Sequence, residues 1–249
     1  MALESEGMSV VDHLTELRKR IIYVLIVFLL GLIGGILCAK PIYDYLVSTD
    51  QAQGFALHAF SFWDGIGMYM KIAMVISLVI SIPFIAYQLW AFISPGLRPE
   101  ERSATLRYIP YVLVLFLIGL SFAYFVVFPM ALSFTISITR SMGLEETYGI
   151  AQYFNFMFGL VLPMALLFEI PLLVMFLTKL RILNPLRLRK MRRYAYFTLV
   201  FIAVVITPPD FISDFLVTIP LLALYEFSVF LSAFVYRKQL AADAAREAQ

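Results

Sequence analysis

Long uncharged apolar runs, separated by short polar segments, dominate the pattern of this chain. A helix needs about 20 apolar residues to cross the hydrocarbon core of a bilayer. The runs are continuous, whereas a membrane β-barrel would show alternating segments of about ten residues. The pattern therefore predicts an all-α membrane protein, a single domain over residues 1–249 with six transmembrane helices. The predicted spans are about 21–39, 72–93, 108–139, 153–178, 194–208 and 215–236, with a flexible tail after about 238.

The predicted spans differ in length, which affects the expected shape. At 1.5 Å per residue, the uncharged run of span three would reach roughly 48 Å, and that of span five only about 23 Å. The hydrocarbon core is roughly 30 Å thick. We therefore expect short fifth and sixth helices, a concave bundle and local thinning of the bilayer beside them. The alternative is that both helices extend past the charged residues that bound these runs.

The first run has a second interpretation, as the apolar region of a cleaved signal peptide. The basic residues RKR precede it, and the small residues of LCAK end it. Its 19 uncharged residues exceed the usual apolar length of about 7–15 in signal peptides. We therefore interpret this run as a transmembrane span.

Composition and charge agree with a membrane protein and suggest an orientation. Hydrophobic residues make up 62% of the chain and charged residues 14%, against roughly 45–50% and 25% in soluble proteins. The net charge of +2 is too small to suggest nucleic-acid binding. Of the 19 Lys and Arg residues, all but Lys40, Lys71 and Arg140 lie in the two tails or in the loops after spans two and four. Because positively charged loops stay cytoplasmic, both termini are predicted to be cytoplasmic.

Catalytic and metal-binding chemistry is nearly absent from the sequence. His13 and His58 are the only histidines, and they lie on opposite predicted sides of the membrane, which argues against a zinc site. There is no Gly-rich phosphate loop, and the single cysteine, Cys38, excludes an internal disulfide. We expect no enzyme activity, no metal and no cofactor.

Acidic residues occur at two places on the predicted cytoplasmic side. Glu16 lies one helical turn before Arg20, and Glu100 and Glu101 are adjacent in a proline-containing loop. Carboxylates accept the guanidinium fork in a bidentate manner, so these acids could bind a peptide that carries arginines. For Glu16 the plainer alternative is a solvated ion pair within one helix, which contributes only a few tenths of a kcal/mol.

Glu169 lies inside span four, in the segment PMALLFEIPLLVMFL. A carboxylate near the centre of a membrane helix costs roughly 2.5–3.5 kcal/mol on insertion scales. One interpretation is a protonated acid that bonds a neighbouring helix or a water molecule near Pro171. The other is the proton-carrying centre of a secondary transporter.

Five short motifs follow one another across the predicted spans. They are HLTELRKR (His13–Arg20), FISPGLRPEER (Phe92–Arg102), AYFVVFP (Ala123–Pro129), FEIP (Phe168–Pro171) and TPPD (Thr207–Asp210). In this order they resemble the TatC family, the receptor subunits of the twin-arginine protein translocase. The resemblance extends from about Met8 to Arg237, and the combination of motifs is specific although each one is short.

The resemblance implies a multi-pass receptor of the bacterial inner membrane, or of thylakoids, that binds the Arg-Arg signal peptides of folded cargo proteins. It also implies single-span TatA-type partners, a TatB subunit in many systems, self-association and transport driven by the proton-motive force. Lipid is the surrounding medium, and no nucleic acid is implied.

Carried over by motif, the resemblance assigns roles to individual residues. It implies a signal-peptide site at Glu16, Leu17, Arg18, Arg20, Phe92 and Glu101, with Glu100 only a neighbour. It implies partner-helix contacts at Thr207 and Asp214 and a structural role for Pro41 in the first outer loop. The resemblance then implies that Glu169 is a polar residue within the membrane and not the proton-carrying centre of a transporter.

Three other classes of protein remain as alternatives at this stage. A secondary transporter would also place acids inside its spans. An ABC-type permease would need a cytoplasmic coupling loop, of which GLRPEERSATLR is a poor version, and an ATPase partner. A structural scaffold would not respond to signal peptides.

Overall fold

The computed structural model describes residues 10–49, 57–96, 102, 106–144, 147–207 and 211–247. Eight α-helices account for most of this part of the chain. A 3₁₀ turn, Ser94–Gly96, follows the second helix, and a π-helical turn, Ala123–Val127, joins the third helix to the fourth. The helices are α1 (Val10–Ser48), α2 (Asp64–Ile93), α3 (Ile109–Phe122), α4 (Phe128–Ser141), α5 (Ile150–Leu167), α6 (Ile170–Lys179), α7 (Pro185–Ile206) and α8 (Phe211–Glu247).

Five helical segments within the described ranges are long and apolar enough to cross a membrane. The pairs α3–α4 and α5–α6 each form one such segment, so predicted spans one to four and six each have a helical counterpart. Helix α7 corresponds to predicted span five. The prediction of an all-α membrane fold is confirmed, with six helical units that correspond to the predicted spans, five of which are long and apolar enough to cross a membrane. The segments are Leu14–Ser48, Asp64–Ile93, Ile109–Ser141, Ile150–Lys179 and Asp214–Ala241.

Helix α7 is longer than the predicted span, but only part of it is apolar. It has 22 residues and begins at Pro185, where the side chain of Asn184 accepts a hydrogen bond from Arg187 N at 2.7 Å. An Asn cap followed by Pro in the first turn is a common helix start. Basic residues fill the first turns, so the apolar part of α7 is the short piece that the sequence predicted.

Helix α8 corrects the expectation of a short sixth helix and a flexible tail. It has 37 residues and continues to Glu247. Gln239 Nε2 donates to the carbonyl oxygen of Lys179 at 2.9 Å, and Arg181 forms an ion pair with Asp243 at 2.9 Å. These contacts with the end of α6 hold the last turns of α8, although the sequence there is no longer apolar.

Pro41 lies inside α1 and not in an outer loop, which corrects the position implied by the resemblance. Proline removes one helical hydrogen bond and disfavours helix interiors. Beyond Pro41, however, Tyr43 packs against Tyr69 and Phe154, with ring centroids 6.2 and 6.1 Å apart. Leu46 also packs against the main core. This packing lets the helix continue to Ser48.

Helices α1 and α2 approach each other closely because glycines lie at their contact. A methyl group added at Gly35 would lie 2.7 Å from the backbone oxygen of Ala73, and one added at Gly31 would lie 2.9 Å from Ser77 Oγ. Ser77 Oγ in turn donates to the carbonyl oxygen of Phe28 at 2.5 Å. Small residues of this kind are the usual means of close helix packing in membranes.

The π-helical turn between α3 and α4 falls in the motif AYFVVFP. Pro129 follows it, and a proline ring clashes with the carbonyl group four residues earlier in a regular helix. Here Phe128 N–H donates to Ala123 O, five residues back, so the helix is wider where that clash would occur. Phe128 is fully buried, and its ring meets that of Tyr153 edge to face at 5.6 Å.

Helices α5 and α6 are separated by a break at Phe168 and Glu169. Glu169 N donates to the carbonyl of Leu166 at 3.1 Å, which is a tighter turn than a regular α-helix makes. Pro171 explains the break, because it lacks the N–H that would continue the helical ladder. The motif FEIP therefore places Glu169 where the fourth span changes direction.

Two very short strands connect the segment between α1 and α2 with the segment between α4 and α5. β1 (Leu57–His58) pairs in parallel with β2 (Tyr148–Gly149), with Leu57 opposite Tyr148. The segment that follows β1 is fixed to α2, because the Asp64 carboxylate accepts from Phe60 N and Ser61 N at 2.8 and 2.9 Å. The strand pair links these two segments locally and does not change the helical class of the fold.

Gly35→Ala should destabilise the protein, since the added methyl group meets backbone atoms of α2 that cannot move independently. We expect the free energy of unfolding to fall by about 1–3 kcal/mol, the usual range for overpacking. Thermal unfolding in detergent measures this. Gly34→Ala is the matched control, because nothing lies within 4 Å of the added group, and it should be neutral or up to about 1 kcal/mol stabilising. Equal melting temperatures for the two variants would contradict the packing assigned to Gly35.

Candidate functional site

Arg20 joins α1 to the last turn of α2. Its guanidinium donates to Glu16 Oε1 from both Nε, at 3.2 Å, and Nη2. Nη1 donates to Gln88 Oε1 at 3.2 Å, and Nη2 also lies 3.0 Å from the carbonyl oxygen of Ala91. The Glu16 side chain is 27% exposed and that of Arg20 is 20% exposed. The structure therefore makes this ion pair a partly desolvated contact between two helices, and not the solvated pair within one helix that was the plainer alternative.

Glu16 uses only one of its two carboxylate oxygens in its contacts with Arg20. Its bonds to Arg20 use Oε1, and no described residue donates to Oε2. The neighbouring side chains predicted for the same site, Leu17 and Arg18, are both exposed. Arg18 makes no hydrogen bond or ion pair with any residue in the described ranges. The first motif thus presents a fixed carboxylate beside an exposed apolar and an exposed basic side chain.

Trp90 contacts Arg102, the last residue of the second motif. Its Nε1 donates to the carbonyl oxygen of Arg102 at 3.3 Å, and the Arg102 guanidinium lies 5.8 Å from the centre of the indole ring. Phe92, in the same last turn of α2, is half-buried. Glu100 and Glu101 lie outside the described residues. The last turn of α2 therefore contacts Arg20 of the first motif and Arg102 of the second.

Thr207 and Asp214 form a polar contact between the end of α7 and the start of α8. Thr207 Oγ1 hydrogen-bonds Asp214 Oδ1 and lies 2.9 Å from the carbonyl oxygen of Ala203. A hydroxyl has one proton, so Thr207 donates to only one of these two oxygens at a time. An ionised carboxylate oxygen can only accept, so Thr207 is the donor in its bond with Asp214. Thr207 is 6% exposed, whereas Asp214 is half-buried. The structure thus brings together the two residues predicted for partner contact.

Glu169 borders an apolar groove between α2, α3 and the α5–α6 break. The groove has a volume of about 270 Å³, and apart from Glu169 its lining includes Ile82, Trp90, Val112 and Leu172. Glu169 Oε1 is buried and accepts no hydrogen bond from a residue in the described part of the chain. A carboxylate oxygen without a partner in apolar surroundings carries a large desolvation cost. The groove therefore has one carboxylate in a largely apolar wall.

Two polar groups outside the predicted site also connect helices. Gln88 is 9% exposed and accepts from Arg20, and sequence reasoning gave it no role. Glu226 of α8 binds Arg192 of α7 at 2.5 Å and accepts from Tyr196 Oη at 2.5 Å. An acid inside the last span was visible in the sequence, but spacing along the chain does not identify partners on another helix.

The arrangement offers no metal chemistry in the described ranges, where no group of three His, Cys, Asp or Glu side chains could hold an ion. A protein-family model described as Sec-independent protein translocase protein (TatC) matches residues 12–220. The chain belongs to the TatC family. The resemblance seen in the five motifs is thereby confirmed, and the family is that of a protein translocase component rather than a known enzyme.

Individual TatC proteins are similar over nearly their whole length. TatCy of Bacillus subtilis (strain 168) is 46% identical over 238 residues, which cover 96% of this chain and 94% of the relative. TatC of Escherichia coli (strain K12) is 34% identical over 232 residues, covering 92% of this chain and 89% of the relative. A crystal structure of the twin-arginine translocase receptor TatC superposes with a TM-score of 0.77 at 31% identity, covering 90% of this chain and 99% of that one.

The contact between Arg20 and Gln88 can be tested by a double-mutant cycle. Gln88→Leu and Arg20→Gln each remove hydrogen bonds to a charged group, which contribute about 1.5–3 kcal/mol. We expect each single variant to lower stability in thermal unfolding. Because the two residues share the interaction, Gln88→Leu should have much less effect once Arg20 is replaced. Simple additivity of the two losses would show that the contact does not couple the helices.

Proposed function

We propose that this protein is the receptor subunit of a twin-arginine translocase and that it binds the Arg-Arg signal peptides of folded cargo. The residues proposed to form the peptide site are Glu16, Leu17, Arg18, Arg20, Phe92 and Glu101. The observation that carries the proposal is the meeting of both motifs at the last turn of α2, where Arg20 and Arg102 are held. In this proposal Glu16 and Glu101, separated by more than eighty residues in the sequence, act on one short peptide.

The environment of Glu16 supports recognition of arginine in particular. A guanidinium already binds this carboxylate in the form of Arg20, with two nitrogen atoms directed at one oxygen. An exposed ion pair contributes only about 0–1 kcal/mol, but the Glu16 side chain is mostly covered. A planar guanidinium fork also fits a carboxylate better than the compact ammonium of lysine. Selection of arginine over lysine is therefore proposed to arise from this fixed, partly desolvated carboxylate.

The same proposal includes an orientation and a location. The chain would act as one six-span unit in the bacterial inner membrane, with both termini cytoplasmic. The excess of Lys and Arg in the tails and in the loops after spans two and four supports this orientation. The peptide site then faces the cytoplasm, where folded precursors are found.

Partner helices are proposed to bind at the α7–α8 hairpin. Thr207 and Asp214 would contact a TatA-type single-span subunit, and a TatB subunit where one exists. The hydrogen bond between them supports this, because it fixes two polar groups at the edge of a bundle that otherwise exposes apolar side chains. Self-association of the receptor and transport driven by the proton-motive force belong to the same proposal.

Glu101 should be required for peptide binding, whereas Glu100 should not. A lost charge-assisted hydrogen bond of about 1.5–3 kcal/mol corresponds to a roughly 10–100-fold weaker affinity. We expect this loss for Glu101→Gln in a binding assay with a fluorescent Arg-Arg signal peptide in detergent or nanodiscs. Glu100→Gln removes the same charge one residue earlier and is the control. Unchanged binding in both Glu16→Gln and Glu101→Gln proteins would refute the assignment, and equal loss at Glu100 and Glu101 would indicate a general charge effect.

Glu169 is proposed to supply polarity within the apolar groove rather than to carry a proton. Glu169→Gln should therefore largely preserve export, because an amide keeps the polar contact, whereas Glu169→Leu should reduce it. Export of a twin-arginine reporter protein by cells that express each variant is the measurement. Severe and equal loss in both variants would favour the proton-carrying role of a transporter.

A further inference from the structure

The structure divides the six cations from Arg181 to Arg193 into two groups. Three of them have internal partners: Arg181 binds Asp243, Arg187 donates to a backbone carbonyl at 3.3 Å, and Arg192 binds Glu226. Three others, all in the first three turns of α7, make no hydrogen bond or ion pair with any described residue. These three are Arg189, Lys190 and Arg193.

The three cations share one side of the helix. With 3.6 residues per turn, positions 189, 190 and 193 lie within about one third of the circumference. Leu188 and Leu199, on the opposite side, are 6% and 5% exposed, and they face the rest of the bundle. The three cations are exposed. We call them the basic face of α7.

The basic face continues into an exposed apolar surface. Phe197 is 74% exposed, Phe201 61% and Val204 46%, all on the side of the basic face. Tyr194, 71% exposed, lies at the transition. An exposed apolar helix surface in a membrane protein contacts acyl chains, and Tyr is enriched at the level of the headgroups. The basic face therefore lies at the depth of lipid phosphates.

We propose that the basic face of α7 is a binding site for anionic phospholipid. Arg189, Lys190 and Arg193 would contact the phosphate and the anionic headgroup, and the acyl chains would lie along Phe197 and Phe201. Guanidinium and ammonium groups form charge-assisted hydrogen bonds with phosphate, and basic clusters beside a membrane helix attract anionic lipids. Since Arg187 and Arg192 are engaged within the protein, the selectivity for anionic lipid rests on these three side chains. This inference does not depend on signal-peptide recognition.

Lipid titration tests the proposal. Short-chain phosphatidylglycerol and phosphatidylcholine are added separately to the detergent-solubilised protein, and bound lipid is counted by native mass spectrometry. We expect at least tenfold tighter binding of phosphatidylglycerol to the wild-type protein. The triple variant Arg189→Gln, Lys190→Gln, Arg193→Gln should lose most of this preference. The charge-preserving triple variant Arg189→Lys, Lys190→Arg, Arg193→Lys should keep it.

A matched control separates a site from general surface charge. Arg237→Gln with Lys238→Gln removes two exposed cations near the end of α8 and should leave the preference nearly intact. If the triple Gln variant does not fold, Arg193→Gln alone should weaken phosphatidylglycerol binding by roughly fivefold. The proposal is overturned if folded variants of the basic face retain the preference, or if the Arg237 and Lys238 variant loses it equally.

Discussion

Inside a bilayer almost no water is present to satisfy polar groups, so polar side chains on spanning helices are stabilised by partners within the protein; Glu169 Oε1 departs from this rule among the described residues. This constraint explains where polar side chains form hydrogen bonds between the helices of this bundle. Arg20 binds Gln88 and Ala91 across α1 and α2, and Thr178 and Ser232, both fully buried, lie 2.8 Å apart between α6 and α8. Such contacts give the helices a defined register, which apolar packing against equally apolar lipid cannot provide.

The same constraint gives the prolines their positions. Pro171 and Pro129 each interrupt a spanning helix, and in each case the disturbed backbone is repaired locally, by a tight turn at Glu169 or by a π-helical turn before Phe128. The repairs also decide where neighbouring side chains lie. The break at Glu169 places a carboxylate in the wall of an apolar groove that also includes Trp90, whose indole holds Arg102.

The last turn of α2 connects the helix packing with the proposed peptide site. Its Gln88 side chain and Ala91 carbonyl fix Arg20, which in turn fixes the Glu16 carboxylate. The proposed selection of arginine over lysine needs a carboxylate whose position is set before the peptide arrives, since ordering it afterwards would reduce the affinity. The basic start of α7 also contains both fixed and exposed charges. Glu226 binds Arg192, whereas Arg189, Lys190 and Arg193 are exposed.

The sequence by itself determined the class of fold, the approximate spans and the TatC family, because apolar run length and motif order are properties of the linear chain. The sequence also pointed to Thr207 and Asp214 as one polar cluster, and their side chains form a hydrogen bond in the structure. Only the tertiary structure decided that Pro41 lies within a helix, that α8 continues past residue 238 and that Gln88 belongs to the site. These features depend on which side chains from distant helices come into contact. A helix continues through a proline or past its apolar run when neighbouring helices pack against it, and spacing along one chain does not contain that information.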